Sequence, residues 1–144
     1  MIPKDVLKDI EIASDYLHAH PDSIVAVREQ TIHGTKKGEG VRPFLEIIDD
    51  MGRSLSDCVI GDRILGKASA LLCCHIQTRG VYAPRGTKTA IATLVVHGIP
   101  AQVDSIISHI TNRTGNGLCP FEQLLAAVED PSEAYRLLRE KLKM

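Results

Sequence analysis

The stretch DCVIGDRILGKASALLCCHIQTRGVYA, residues 57–83, contains the pattern that decides the fold. It begins with a short apolar run at 57–60, continues through a segment rich in alanine and leucine at 66–75, and ends in a second apolar run at 80–83. Short apolar runs bounded by glycine predict buried strands, and strands that alternate with helices are typical of α/β domains. The stretch therefore predicts a strand–helix–strand unit of a largely parallel sheet.

The segments on either side continue this alternation. The other predicted elements are a helix from 6 to about 20, a strand at 23–30, a loop or hairpin tip at 34–40, a helix at 43–48, a helix at 87–97, a strand at 102–103, and helices beginning at 120 and 131. No linker or repeat divides the chain, and its 144 residues are enough for one core. We therefore expect a single domain over residues 1–144.

The composition excludes several classes of function. Hydrophobic residues make up 44% of the chain, which predicts a folded protein. Two Phe, three Tyr and no Trp leave few side chains for stacking bases, and a net charge of −1 does not attract nucleic acid or acidic membranes. No apolar run is long enough to span a bilayer, and the four cysteines follow no secreted spacing. We expect a soluble cytoplasmic protein with reduced thiols.

Residues 61–68, GDRILGKA, match the spacing of a phosphate-binding loop between a strand and a helix. Two features disfavour a nucleoside triphosphatase: Ala68 replaces the Ser or Thr that binds magnesium, and Ile64 and Leu65 are bulky for a loop around a phosphate. A weaker interpretation remains, because free amides and the helix dipole at Gly66 and Lys67 suit an anion. Alternatively, Lys67 is a solvated lysine in the first turn.

Three segments carry a resemblance to a known family: GKASALL at 66–72, GVYA at 80–83 and NRTGNGLCPFE at 112–122. With the elements between them, they resemble the domain-of-unknown-function family 1893, placed in the cytidine-deaminase-like superfamily. The resemblance covers nearly the whole chain after the first helix. It implies a three-layer α/β/α fold around a mixed sheet of about five strands, and it implies no known activity.

Zinc deaminases of that superfamily need a His or Cys in an H-x-E or C-x-E motif and two cysteines in P-C-x-x-C. We align the chain with these motifs on Ala70-Leu71 and on Pro84. The alignment places Leu65, Arg85 and Lys88 at the positions of the three zinc ligands. It places Lys67 at the position of the proton-shuttling glutamate. None of these side chains ligates zinc in this way. The resemblance therefore implies a deaminase-like domain without its zinc site, and we predict no metal or cofactor.

The replacements suggest a different ligand. In such a fold two helix N-termini converge on one crevice at the carboxyl ends of the strands. The cations of Lys67, Arg85 and Lys88 and the hydroxyl of Thr87 would then meet there and bind an anion, such as a phosphate-bearing metabolite or a nucleotide. Gly66, Asn112 and Arg113 complete this candidate ligand-binding set. The alternative is that long side chains fill the crevice and it binds nothing.

Cys119 is a weak candidate for catalysis. It precedes Pro120 and Glu122 in the same frame in which Asp130 precedes Pro131 and Glu133, a pattern typical of a capped helix start. A thiol at such a position has a stabilised thiolate. Nearby polar residues that could orient a substrate are His109, Asn112 and Arg113. The alternative is a small residue that fits a tight turn.

Three hypotheses follow. The first is a non-catalytic deaminase-like domain that binds a small anionic ligand in the former zinc crevice. The second is an enzyme of non-deaminase chemistry that uses Cys119 or the cationic crevice. The third is an interaction module with a vestigial pocket, which could form a homo-oligomer.

Overall fold

The structure, a computed structural model, describes residues 2–144 of the chain. Its elements are α1 (Lys4–Ala19), β1 (Ser23–Arg28), β2 (Thr31–Lys37), α2 (Arg42–Met51), a 3-10 helical segment (Gly52–Asp57), β3 (Val59–Asp62), β4 (Ile64–Leu65), α3 (Lys67–Ile76), β5 (Gly80–Thr87), α4 (Lys88–Val96), β6 (Ala101–Ile107), α5 (Pro120–Leu124) and α6 (Pro131–Leu142). The described part of the chain contains no helix long and apolar enough to cross a membrane.

β5 is the central strand of the sheet. β3 and β4 pair in parallel with successive parts of it, through Ile60–Val81 and Ile64–Arg85, and β6 pairs in parallel along its other side. β1 is antiparallel both to β3 and to the edge strand β2. The predicted α/β fold with a mixed sheet is confirmed, although the antiparallel pairings of β1 were not expected from the alternation of strands and helices.

Helices cover both faces of this sheet. On one face α1 packs through Ile10 and Leu17 against Val59 and Tyr82. The opposite face carries a larger core that includes buried side chains of α2, α3, α4 and α6. Because side chains alternate between the faces of a strand, neighbouring residues of one strand enter different cores. The central strands β1, β3 and β5 are therefore buried on both sides for most of their length, as their apolar sequences predict.

α3 lies deepest in the larger core, and every residue from 67 to 74 is buried. Burial raises the pKa of the Cys73 thiol well above its ordinary value, and it raises the pKa of Cys74 to about 11. Both thiols therefore stay protonated and act as small apolar side chains. The helix ends at Ile76, and the capping residue Gln77 adopts the left-handed conformation.

Two strands differ from the sequence prediction. Residues 34–40 were expected to form a loop or hairpin tip, but residues up to Lys37 belong to β2, whose side chains are mostly exposed on the sheet edge. An exposed edge strand needs no apolar alternation, so its sequence resembles a loop. A Cβ at Gly34 would lie 2.6 Å from the Met51 sulfur, so close packing explains this glycine. β6 is also longer than the predicted 102–103.

The burial of α3 gives a first prediction. Leu72→Ala should lower the free energy of unfolding by about 2–5 kcal/mol, because the fully buried side chain leaves a cavity. Urea denaturation measures the loss. Val96→Ala is the control, since Val96 is 81% exposed at the end of α4 and should change stability by less than about 0.5 kcal/mol. Equal losses in the two variants would contradict this assignment of the core.

Candidate functional site

A cavity of about 660 Å³ lies at the carboxyl end of β3, beside the first turn of α3. We call it the main cavity. Ligands of open α/β sheets bind in crevices at the carboxyl ends of parallel strands, so its position makes it the candidate functional site. The residues that line it are 39–42, 62–64, 66, 68, 69, 110–114, 119–122 and 142.

The N-terminus of α3 is occupied by a carboxylate of the chain itself. Glu122 Oε1 accepts a hydrogen bond from the Lys67 amide at 2.8 Å, and Oε2 accepts one from the Ala68 amide at 3.0 Å. A Cβ at Gly66 would lie 2.5 Å from both Glu122 Oε1 and Ile110 Cδ1, so only glycine leaves room for this arrangement. The amides that were expected to be free for a ligand anion already bind Glu122.

Lys67 is turned away from the main cavity. Its side chain is only 8% exposed, and its ammonium donates to the Ala126 carbonyl at 3.0 Å and to Glu129 Oε1 at 2.9 Å. A buried ammonium needs such partners, because leaving its charge unpaired is costly. The chain therefore neutralises the cation that was predicted to bind a ligand.

The residues at the start of α4 also lie apart from the main cavity. The Thr87 hydroxyl accepts a hydrogen bond from the Ala90 amide at 3.1 Å and so caps α4. Arg85 lines a second, smaller cavity, and the exposed Lys88 lines neither cavity. The structure thus does not bring Lys67, Arg85 and Lys88 together at one site.

Four of the predicted residues do line the main cavity: Gly66, Asn112, Arg113 and Cys119. Asn112 belongs to a compact turn in which its side chain donates to Asn116 Oδ1 at 3.1 Å and accepts from the Thr114 hydroxyl at 3.0 Å. An ion pair between Arg113 and Glu39 connects this turn to the segment before α2. These contacts place residues 112–114 along the wall of the cavity.

Cys119 is half-buried at the N-cap of α5, whereas the other three cysteines are buried. His109 does not line the main cavity; its ring is exposed and bonds to the Ser108 hydroxyl at 2.9 Å. The structure therefore provides no base beside the thiol among the histidines of residues 2–144. α5 has only five residues, so it contributes a short dipole.

Sequence reasoning missed Asp62 and Ser69 as members of the site. Asp62 is buried at the end of β3; its Oδ2 accepts from the Ser69 hydroxyl at 2.8 Å and its Oδ1 from the Arg63 amide at 2.9 Å. Burial raises the pKa of this carboxyl above its ordinary value, against the opposing effects of Arg63 and Ser69. The usable signal was an acidic residue at the end of a buried strand.

The phosphate-loop spacing at 61–68 does not correspond to a loop. Ile64 and Leu65 form β4, which pairs with Arg85 and Gly86 of β5. Their peptide groups therefore take part in the sheet instead of surrounding a phosphate. Within residues 2–144 no three His, Cys, Asp or Glu side chains are grouped so that they could hold a metal ion.

The fold and the cavity define an α/β domain with a mixed sheet and a candidate site at the carboxyl end of its parallel strands. Residues 12–142 match the domain of unknown function DUF1893, and the chain belongs to this family, as the sequence predicted. It is similar to the crystal structure of a DUF1893 family protein, TM1506, from Thermotoga maritima, with a TM-score of 0.85. The two are 23% identical over 98% of this chain and 92% of that one, which shows a shared fold. No curated protein matches the chain.

Removal of the Glu122 carboxylate should destabilise the protein. Glu122→Ala leaves two amides of α3 without their partner, so we expect the free energy of unfolding to fall by about 1–3 kcal/mol, with a smaller loss for Glu122→Gln. Urea denaturation measures both losses. Glu11→Ala removes an exposed carboxylate from α1 and should have little effect. A similar loss in the Glu11 control would show that the α3 contact contributes nothing specific.

The buried Asp62 predicts a defined dependence on pH. Because its pKa is raised above 3.8, the folded state keeps a proton that the unfolded state has already lost. The stability of the wild type therefore falls as the pH rises from the unfolded-state pKa to the folded-state pKa of Asp62. Relative to the wild type, Asp62→Asn should therefore become progressively more stable as the pH rises above about 4, measured by urea denaturation. Asp15→Asn, on the exposed side of α1, should show no such gain. A loss of stability in Asp62→Asn relative to the wild type as the pH rises would contradict the prediction.

Proposed function

We propose that this protein is a non-catalytic, deaminase-like domain that binds a small anionic metabolite, such as a phosphate-bearing compound or a nucleotide, in the main cavity. The observation that carries the proposal is that arginines from three separate segments of the chain line this one cavity: Arg42, Arg63 and Arg113. Guanidinium groups suit phosphate and carboxylate because they donate two parallel hydrogen bonds.

The arginines are held by contacts that leave donors for a ligand. Arg63 donates to the Gly40 carbonyl at 2.8 Å and lies 3.9 Å from Asp62 Oδ1, while Arg42 donates to the Leu142 carbonyl at 3.3 Å. Each guanidinium has five N–H groups, so one or two internal contacts do not exhaust it. These contacts fix the positions of the side chains and so reduce the entropy lost on binding.

Apolar side chains on the other walls favour an organic ligand over a bare ion. Ile64, Ile110, Phe121 and Leu142 line the same cavity as the arginines. A volume of about 660 Å³ is in the range of small-molecule sites, which combine apolar walls with a few polar groups. The Asp62–Ser69 pair adds a hydrogen-bonding point in this wall. The arrangement suits a ring or sugar that carries an anionic group.

The residues at the three aligned ligand positions support the loss of the zinc site that the resemblance to the cytidine-deaminase-like superfamily implies. Leu65, at the first proposed ligand position, is fully buried in the core and has no donor atom for a metal. Arg85 and Lys88, at the other two positions, are exposed cations. A catalytic zinc needs His, Cys or carboxylate ligands, and none stands at these positions. Binding without deamination is the function that we propose.

A second candidate is an enzyme that uses Cys119 as a nucleophile. The observation in its favour is that the least buried cysteine of the chain lines the main cavity. Alkylation by iodoacetamide without ligand distinguishes the two candidates. If Cys119 reacts faster than a free peptide thiol, an activated nucleophile is favoured; if it reacts no faster, the binding function is favoured.

Cys119 also reports on ligand binding in a direct test. We expect at least one compound from a panel of nucleoside monophosphates and sugar phosphates to raise Tm and to slow alkylation of Cys119, measured by mass spectrometry. A bound ligand stabilises the folded state by mass action and covers the thiol. Both effects should weaken in the double variant Arg42→Gln/Arg113→Gln, because it removes two cations of the cavity.

The matched control is Arg53→Gln/Arg136→Gln, which removes two exposed arginines that do not line the cavity. It keeps the net charge equal to that of the test variant. Binding that survives unchanged in the test variant, or that fails equally in the control, would contradict the proposal. So would a panel in which no compound both stabilises the protein and protects Cys119.

A further inference from the structure

The second cavity has a volume of about 270 Å³ and lies between the end of α1 and the junction of β4 with β5. Three basic side chains line it: His18, Arg63 and Arg85. Its other lining residues are apolar, and none is acidic. In this it differs from the main cavity, where Glu39, Asp62 and Glu122 accompany the arginines. We call this second cavity the basic cavity.

The strand register brings the basic residues together. Leu65 is buried in the core beneath α3, so its neighbour Ile64 faces the opposite side of the sheet. Ile64 pairs with Arg85 of β5, and both line the basic cavity. The last turns of α1 lie on this side and contribute His18. The basic cavity therefore lies at the carboxyl end of β3 and beside the second half of β5, near the edge of the sheet where ligands of such folds bind.

The hydrogen bonds of these side chains leave donors free. Arg85 is exposed, and its side chain forms no hydrogen bond or ion pair within residues 2–144. His18 Nδ1 lies 2.7 Å from the Ser14 carbonyl; because a carbonyl only accepts, Nδ1 carries the proton. The Nε2 atom of the ring has no hydrogen-bond partner within residues 2–144. Arg63 is fixed by the Gly40 carbonyl at 2.8 Å.

Positive side chains that share a cavity repel each other, and an anion bound between them offsets this repulsion. A tetrahedral oxyanion has acceptor oxygens in several directions, so it can bind donors from three different elements at once. We infer that the basic cavity is a binding site for a phosphate group, either inorganic phosphate or the terminal group of a phosphate monoester. This site shares Arg63 and Ile64 with the main cavity, whereas His18 and Arg85 line the basic cavity alone.

The test uses two phosphate probes at constant ionic strength, with chloride as the compensating anion: inorganic phosphate and glycerol 3-phosphate. Dissociation constants come from titrations followed by amide chemical shifts in ¹H–¹⁵N spectra. For the wild type we expect saturable binding that shifts the amides of residues 63–65 and 85. A monoester that binds more tightly than inorganic phosphate would identify a phosphorylated metabolite as the source, and the reverse order would identify the free ion; both support the site.

Arg85→Gln is the decisive variant, because the exposed, unpaired side chain can be replaced without loss of an internal contact. It should raise the dissociation constant at least about tenfold, the effect of one charge-assisted contact. Lys88→Gln is the matched control: it removes an equal charge three residues further on, outside both cavities, and should change the constant less than about twofold.

The two cavities can be distinguished in the same samples. Phosphate in the basic cavity should leave the alkylation rate of Cys119 unchanged, since this thiol lines only the main cavity. The double variant Arg42→Gln/Arg113→Gln should keep its affinity for phosphate. Absence of saturable binding in the wild type would overturn the inference. Equal losses in the Arg85 and Lys88 variants would also overturn it, as would protection of Cys119 by inorganic phosphate that persists unchanged in Arg85→Gln.

Discussion

The contact between the Glu122 carboxylate and the first amides of α3 joins the last part of the chain to the buried helix α3. α3 is buried along most of its length, so water cannot easily satisfy its free N–H groups, and an internal acceptor is needed. Glu122 reaches them because α5 lies against the start of α3. The segment that carries Glu122 then forms one wall of the main cavity. Capping and cavity formation are thus consequences of the same interaction.

Other close contacts hold this segment in place. Gly40 has a φ of +63° and a Cβ there would lie 2.7 Å from the Phe121 ring, so glycine is required both by its conformation and by space. Gly66 leaves room for Glu122 on the other side. Two glycines distant in sequence therefore permit α5 to approach the sheet. The cavity beside them is the space that this approach encloses.

Much of the fold follows from the sequence because its signals are local. The apolar runs of β3 and β5 and the alanine-rich α3 are readable directly, and Asp130 caps α6 as its pattern indicated. The site was less predictable, because its residues are satisfied by distant partners. Lys67 pairs with Glu129, 62 positions away, and nothing in the local pattern indicates that contact. Glu122 followed a capping frame for its own helix, yet its carboxylate binds α3.

The position of Glu122 also affects which ligands can compete for the helix dipole. Its carboxylate is tethered to the same chain, so its effective concentration at the α3 amides is high at all times. An anionic ligand that enters the main cavity would have to displace this intramolecular competitor to reach those amides. Binding to the arginines costs less free energy, because Glu122 then keeps its hydrogen bonds to α3. A ligand of the kind that we propose would therefore carry its charge toward the arginines and away from the start of α3.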